Sequence, residues 1–464
     1  MKTNLPRILI GAFRGGSGKT LVSLGMLARW RADGVRLSVF KKGPDYIDAA
    51  WLAQAAGSPC YNLHGYLMGD EGVARSFAAH AGDGDLVLVE GNRGLFDGVD
   101  AEGRHSSAAL AKRLGLSVFL VVDSTKSTRT LAALLKGCQV MDPDCRIRGV
   151  ILNRVANARH ESVIRASIDK YCGIPVLGAI PRVTGLNLCE RHLGLMPPAE
   201  HGAAREVVGR LEDLVGRYVD LEAVRRAAAS DAASRPVSLE EEARPEEVLR
   251  PGRPGLRLGV FQDATVHFYY PENLEALRGG GAEIIPIRPS EDSRLPDLDA
   301  LYIGGGFPES HAQSLAENGP FLNSLRREVQ KGLPVYAECG GAIYLGKGLV
   351  LGDRFHAFAG IFPVVYRLNR TPQGHGYTLL EVTEENPIFP PGALLKGHEF
   401  HYAGVHQWEE GAVRFACQVK RGYGFDGRRE GLWSRNVYAT FSHLHARGES
   451  LWAEGFLNRA RHAL

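Results

Sequence analysis

The chain has 464 residues, of which 44% are hydrophobic and 23% charged, and a formal net charge of +3. That length accommodates about two to four domains of roughly 100–200 residues, and the composition is ordinary for soluble globular protein. So small a charge over this length argues against nucleic acid or an acidic membrane surface as partner. The cysteine count is odd, 7, and no two form a Cys-x-x-Cys pair. A disulfide framework is therefore not expected, which suits a reducing cytosol. The first residues lead into an apolar run and a glycine loop, without a signal-peptide layout, and no apolar run reaches about 18 residues. A cytoplasmic protein is expected.

Taken in chain order, the first half alternates short apolar runs with helical patterns. The runs are Ile8–Phe13, Leu37–Lys41, Leu86–Glu90, Val118–Asp123, Val150–Val155 and Val176–Pro181. Runs almost wholly of Val, Ile and Leu read as strands buried on both faces, hence a parallel sheet covered by helices. Around Leu221–Gly255 the character changes, with Ala-Ala-Ala, the acidic run Glu240–Glu242 and Pro236, Pro245, Pro251 and Pro254. This reads as a helix ending in an exposed linker. A second alternation follows at Leu256–Phe261, Glu283–Ile287, Ala300–Ile303 and Pro334–Ala337, with later runs at Tyr377–Val382 and Val413–Val419. The expected domains are 1–220, a linker 221–255, and 256–464, both domains α/β.

Phe13-Arg14-Gly15-Gly16-Ser17-Gly18-Lys19-Thr20 lies between a strand and a helical pattern. Glycines let the backbone curl so that several N–H groups face phosphate oxygens, and the following helix adds its positive end. Lys19 is placed to reach the β/γ-phosphates and the Thr20 hydroxyl suits Mg²⁺. Phe13 stands where the usual pattern begins with glycine, so the loop is a variant with Arg14-Gly15-Gly16 at its lip. Mg²⁺ also needs carboxylates. Glu90 ends a strand, and Asp45 and Asp97 follow strands, at the sheet edge where open α/β folds bind ligands. One such acid alone is most often a solvated loop carboxylate; three beside a phosphate loop are better read as functional. Lys41 and Lys42 suit an anionic substrate, and the carboxamide of Asn153 can address an adenine edge.

In the second half, Val335-Tyr336-Ala337-Glu338-Cys339-Gly340-Gly341 is a strand entering a glycine turn. A cysteine at such an elbow is presented as a nucleophile. Its expected base is His443 or His445, in Ser442-His443-Leu444-His445. N–H groups of Gly304-Gly305-Gly306, after another strand, suit an oxyanion. Attack of the Cys339 thiolate on glutamine would release ammonia. Cysteines are more often buried structural thiols, and that reading is kept for Cys60, Cys138, Cys145, Cys172, Cys189 and Cys417. His398-Glu399-Phe400-His401 lacks the spacing of zinc proteases and is expected to be structural or to face substrate.

Nearly the whole chain resembles the cobyrinic acid a,c-diamide synthase family. The residues that carry this are Lys42-Gly43-Pro44-Asp45-Tyr46-Ile47-Asp48, Val89-Glu90-Gly91, Gly94-Leu95-Phe96-Asp97-Gly98, Gly304-Gly305-Gly306-Phe307-Pro308-Glu309, Glu338-Cys339-Gly340-Gly341, Lys396-Gly397-His398-Glu399-Phe400-His401 and His443-Leu444-His445. The resemblance implies a P-loop, dethiobiotin-synthetase-like domain followed by a class I glutamine amidotransferase domain. It implies that Gly15, Gly16, Ser17, Gly18, Lys19, Thr20 and Asn153 bind ATP, that Thr20, Asp45 and Glu90 hold Mg²⁺, and that Tyr46, Asp48 and Asp97 lie near the tetrapyrrole carboxylate. Cys339 would be the nucleophile and His443 its base, with Gly305 and Gly306 at the oxyanion. Class I glutaminases often carry Glu two residues after this histidine; His445 stands there, so a Cys–His pair is implied. Asn62-Leu63-His64-Gly65-Tyr66-Leu67 departs from the Asn-Leu-Asp-x-Trp-Met type of segment.

The implied function is ATP- and glutamine-dependent amidation of the a- and c-acetate carboxylates of a cobyrinic acid-type tetrapyrrole through an acyl phosphate, by a homodimer. Amidation of sirohaem or nickel-sirohydrochlorin uses the same motifs, and a ParA-like nucleotide switch is the alternative of another class.

Overall fold

A computed structural model describes residues 5–82, 84–183, 190–191, 194–234 and 255–462. The prolines and acidic run of the expected linker, together with Cys189, lie outside the described residues. The chain divides into two compact units, one drawn from residues 1–244 and the other from 245–464 together with Tyr66–Met68.

In the first unit, among the described residues, seven parallel strands form the main sheet: β1 (Arg7–Ala12), β2 (Leu37–Lys42), β3 (Cys60–Leu63), β4 (Leu86–Glu90), β5 (Ser117–Asp123), β6 (Ile147–Val155) and β7 (Val176–Pro181). Every residue of β1 and β4 is buried, as the unbroken apolar runs require of strands covered on both faces. The order is β3-β2-β4-β1-β5-β6-β7. From β1 the chain runs through α1 (Lys19–Ala32) to β2 on one side; from β4 it crosses over β1 to β5 on the other. Right-handed crossovers then send the two connecting helices to opposite faces. The carboxyl ends of β1 and β4 thus flank a topological switch point, where open α/β sheets bind ligands.

Helix α1 packs tightly on the helix Ala204–Tyr218: a Cβ at Gly25 would lie 2.4 Å from Leu211 O, so only glycine allows that approach. The helix Leu221–Ser234 packs on this unit through buried Val224, Ala228 and Ala232. Its Asp231 accepts a hydrogen bond from Ser117 Oγ at 2.8 Å and pairs with Arg146 at 3.0 Å.

Among the described residues the second unit holds a ten-stranded sheet. Its first five strands in spatial order, Ala282–Ile287, Leu256–Phe261, Ala300–Ile303, Val335–Glu338 and Val437–Thr440, run parallel. The rest are antiparallel: Arg429–Ser434, Arg414–Arg421, Gly374–Val382, Leu394–His401 and His443–Leu444. Side chains alternate between two cores, as a period of two demands. Leu301, Ile303, Val335 and Ala337 enter one; Ala300, Tyr302, Tyr336 and Tyr438 enter the other, beneath Trp452 of the helix Ser450–His462.

One buried acid in this unit makes a pH prediction. Glu430 is fully buried, and its Oε1 accepts N–H bonds from Gly431 at 2.8 Å and Phe441 at 3.1 Å. Burial, with Glu399 nearby, pushes its carboxyl up to about 8 against those bonds. The folded state therefore keeps a proton that the unfolded chain releases near pH ~4.3. Its contribution to stability is whole below that point and declines as pH rises to about 8. Glu430→Gln removes this decline. Relative to wild type the variant is expected to gain on the order of 3 kcal/mol between about pH 5 and pH 8, and nothing further above. Calorimetric melts across that range check it; a gap that does not change with pH would refute a neutral Glu430.

Candidate functional site

In the first unit the loop after β1 closes onto α1 through Gly18, a left-handed residue at φ 98°. A Cβ there would lie 2.2 Å from Asn153 Nδ2. That nitrogen donates to Ser17 O at 2.9 Å, and Asn153 Oδ1 accepts the Arg154 N–H at 2.9 Å. Asn153 therefore braces the loop from the end of β6. Gly15 and Gly16 form its exposed lip, with nothing within 4 Å of a Cβ at either. Ser17 Oγ donates back to Arg14 O at 3.0 Å.

Lys19 points to the loop after β4, where its Nζ donates to Arg93 O at 2.9 Å. Burial lowers the Lys19 ammonium from its ordinary value, with Glu90 opposing. Thr20 Oγ1 donates to Glu90 Oε1 at 3.0 Å. The buried Lys41 ammonium lies 2.6 Å from both Glu90 Oε1 and Asp48 Oδ2. Burial alone would lower it, yet Asp48 and Glu90 hold it above its usual range. Asp45 caps the helix Tyr46–Ala56, its Oδ1 accepting N–H bonds from Ile47 at 3.0 Å and Asp48 at 2.9 Å. Burial and the Asp48 charge push Asp45 up to about 7. Tyr46 opens that helix. Asp97 is more exposed and closes the 94–97 turn by accepting the Gly94 N–H at 2.8 Å. Lys42, which burial and the nearby Arg93 push down to about 8, adds to the cationic character of this end.

A divalent cation takes hard oxygen ligands. Glu90 Oε2 is buried and has no hydrogen-bond partner among the described residues, and the Thr20 hydroxyl is bonded to the same carboxylate. Those two groups fit such an ion. Arg93, whose carbonyl receives Lys19 from a left-handed residue at φ 51°, was not read from the sequence as part of this site.

In the second unit three adjacent parallel strands converge. Ala300–Ile303 leads into Gly304–Gly306, Val335–Glu338 into Cys339, and Val437–Thr440 toward His443. Cys339 sits at φ 47°, ψ −103°, a strained conformation for a side-chain-bearing residue. Its N–H donates to Thr440 O at 2.7 Å, and its thiol faces Phe400 O at 3.9 Å. Burial, with Glu309 adding and the Gly340 N–H opposing, raises the thiol well above its ordinary value. Burial thus favours the protonated thiol over the thiolate.

The His443 ring is wedged in place. A Cβ at Gly305 would lie 2.6 Å from its Cε1. His398 stacks on it at 5.0 Å and 24°, and Tyr270 OH lies 2.7 Å from His398 Nε2. His443 Nδ1 lies 3.2 Å from Glu338 Oε2. Gly306 meets the elbow itself, since a Cβ at Gly340 would be 2.9 Å from Gly306 N. His445 turns away to Glu272, its Nε2 3.0 Å from Oε2. The remaining motif residues support this wall. Glu399 accepts the Tyr423 and Gly424 N–H groups at 2.5 and 2.9 Å, while His401 Nδ1 lies 2.7 Å from Ala403 O and its ring stacks on Phe441. Glu338 was missed in the sequence, although it stands beside Cys339 in the same motif. Among the described residues Cys60, Cys145, Cys172 and Cys417 are buried thiols and Cys138 is half-buried.

Residues 8–195 match the family model described as the CobQ/CobB/MinD/ParA nucleotide binding domain. Residues 257–451 match that of the CobB/CobQ-like glutamine amidotransferase domain. The chain is 41% identical over 456 residues to the cobyrinate a,c-diamide synthase of Magnetococcus marinus, covering 98% of this chain and 97% of that protein. It is 35% identical to the protein of the same name from Listeria monocytogenes (95% of this chain, 96% of that one). The one from Methanosarcina barkeri is 33% identical (99% and 96%). Among the described residues no helix is long and apolar enough to cross a membrane.

Proposed function

We propose, for a chain that belongs to the cobyrinate a,c-diamide synthase family, that it amidates the a- and c-acetate carboxylates of a cobyrinic acid-type tetrapyrrole with ATP and glutamine. It is a glutamine-dependent, amide-forming ligase. The reading rests on one observation above all: both chemical constellations lie in a chain that matches these relatives along almost its whole length.

In the first unit the loop N–H groups and Lys19 hold the ATP phosphates, and the remaining Asn153 N–H addresses the adenine. Thr20, Glu90 and Asp45 would hold Mg²⁺, which when bound neutralises phosphate charge. Tyr46, Asp48 and Asp97 position the tetrapyrrole. A substrate carboxylate oxygen attacks the γ-phosphorus, ADP leaves, and an acyl phosphate results.

In the second unit His443 takes the Cys339 proton and the thiolate attacks the glutamine amide carbon. The N–H groups of Gly305 and Gly306 receive the oxyanion. The C–N bond breaks, ammonia leaves with the imidazolium proton, and water hydrolyses the glutamyl thioester. Ammonia then displaces phosphate from the acyl phosphate. The protein works in the cytoplasm as a homodimer.

The test is mass spectrometry of the purified protein with ATP, Mg²⁺ and glutamine, offering cobyrinic acid, hydrogenobyrinic acid, sirohaem and nickel-sirohydrochlorin. Each acid converted to amide lowers the mass by about one unit. Two conversions on a cobyrinic acid-type substrate are expected; conversion of sirohaem or nickel-sirohydrochlorin alone would reassign the substrate. ATP turnover indifferent to glutamine and to every acid would favour a nucleotide switch.

A further inference from the structure

We infer that Glu338 is the positioning acid of the glutamine-cleaving site, so that the nucleophile and the carboxylate orienting its base are consecutive residues. The inference rests on the reading that Cys339 and His443 cleave glutamine. Glu338 Oε2 lies 3.2 Å from His443 Nδ1. The carboxylate is fully buried, and its other partners can all donate to it. Tyr336 OH reaches Oε1 at 2.9 Å, Tyr302 OH reaches Oε2 at 3.2 Å, and the Leu444 N–H reaches Oε1 at 3.3 Å. An ionised carboxylate accepts only. Surrounded this way, it draws the neutral imidazole into the form protonated at Nδ1. Nε2 is then the unprotonated nitrogen that accepts the thiol proton, and the positive ring formed after proton transfer is stabilised. Glu338 also grips the peptide that follows His443, while the stacked His398 sets the plane of the ring.

The strand explains how adjacent residues serve one imidazole. Glu338 continues the face of Tyr336, two residues earlier, whereas Cys339 leaves the strand at φ 47°. No acid stands two residues after His443. His445 is there, its Nε2 facing Glu272 Oε2 at 3.0 Å and its Nδ1 accepting the Arg447 N–H at 3.2 Å.

Glu338→Gln preserves the shape and removes the charge. Its kcat for glutamine hydrolysis is expected to fall about 10²–10⁴-fold, as when the acid of a triad becomes an amide. KM for glutamine should stay within about three-fold, because the carboxylate does not bind substrate. Ammonia-supported amidation, which bypasses this site, shows that the chain is folded. The second measurement uses the wild type: nitrogen NMR of His443, assigned with His443→Gln, should report protonated Nδ1 and unprotonated Nε2 in the neutral ring. An unchanged kcat in Glu338→Gln, or the opposite tautomer in wild type, overturns the proposal. If the variant fails to fold, the wild-type tautomer decides. A wild type that consumes no glutamine sinks the functional reading instead, and the tautomer still tests the placement of Glu338.

Discussion

Cys339→Ala is expected to lose glutamine-supported amidation by at least about 10⁴-fold, because a nucleophile that forms the covalent intermediate has no substitute. The same variant, supplied with ammonium salt, should amidate within about two-fold of wild type, since the removed group takes no part in activating the carboxylate. The structure makes this substitution informative. The thiol is small and buried, the strand is held on both sides by parallel neighbours, and alanine keeps the backbone close to what it is. The backbone at Cys339 is strained for any residue with a Cβ, so alanine adds no new strain. Amidation assays with each nitrogen source, run in parallel, check it. Loss of both reactions would mean that the substitution had damaged more than the glutamine site; loss of neither would exclude Cys339 as the nucleophile.

Glu90→Gln is expected to do the reverse. Amidation should fall about 10²–10³-fold with glutamine and with ammonia alike, the loss seen when one preorganised electrostatic contact is removed from a transition state. Glu90 joins two functional groups. It receives Thr20 at 3.0 Å and Lys41 at 2.6 Å, and its second oxygen is unpartnered among the described residues. Glutamine at this position still offers an oxygen to Lys41 but removes the charge that a divalent cation requires. Glutamine hydrolysis without tetrapyrrole should persist, because its groups all belong to the other unit. The diagnostic measurement is amidation rate against Mg²⁺ concentration, where the variant should need more metal to reach its lowered maximum. An unchanged metal dependence would remove Glu90 from the proposed cation site.

Much of the parallel framework was legible from residues. Leu86–Glu90 and Val176–Pro181 occur as strands with the expected limits, because strands buried on both faces write themselves as apolar runs. The strand Cys60–Leu63 was not legible: its four residues include Asn62, whose side chain is buried to bond Gly43 O at 2.7 Å. The antiparallel half of the second sheet was partly hidden for a related reason. Lys396–His401 drew notice as a cluster of polar residues, yet it is the end of a strand with those side chains satisfied by neighbours. Spacing along the chain could not reveal that His398 would stack on His443, or that Asn153 would brace Ser17. The first comes from two strands paired in the sheet, the second from the loop after β1 meeting the end of β6. Glu338 escaped notice because a motif draws attention to its reactive member, while its partner is specified only by the third dimension.

The wide separation of the second site's parts along the chain has a consequence for synthesis. Glu338 and His443 are 105 positions apart, and the strand that delivers the histidine pairs directly with the strand that leads into Cys339. A ribosome adding about 5–20 residues per second exposes Cys339 for several seconds before His443 exists. Throughout that interval the thiol has neither His443 nor the neighbouring strand. On the proposed mechanism the growing chain cannot release ammonia in that interval, whereas Thr20, Lys41 and Glu90 all come from its first fifth and can assemble early.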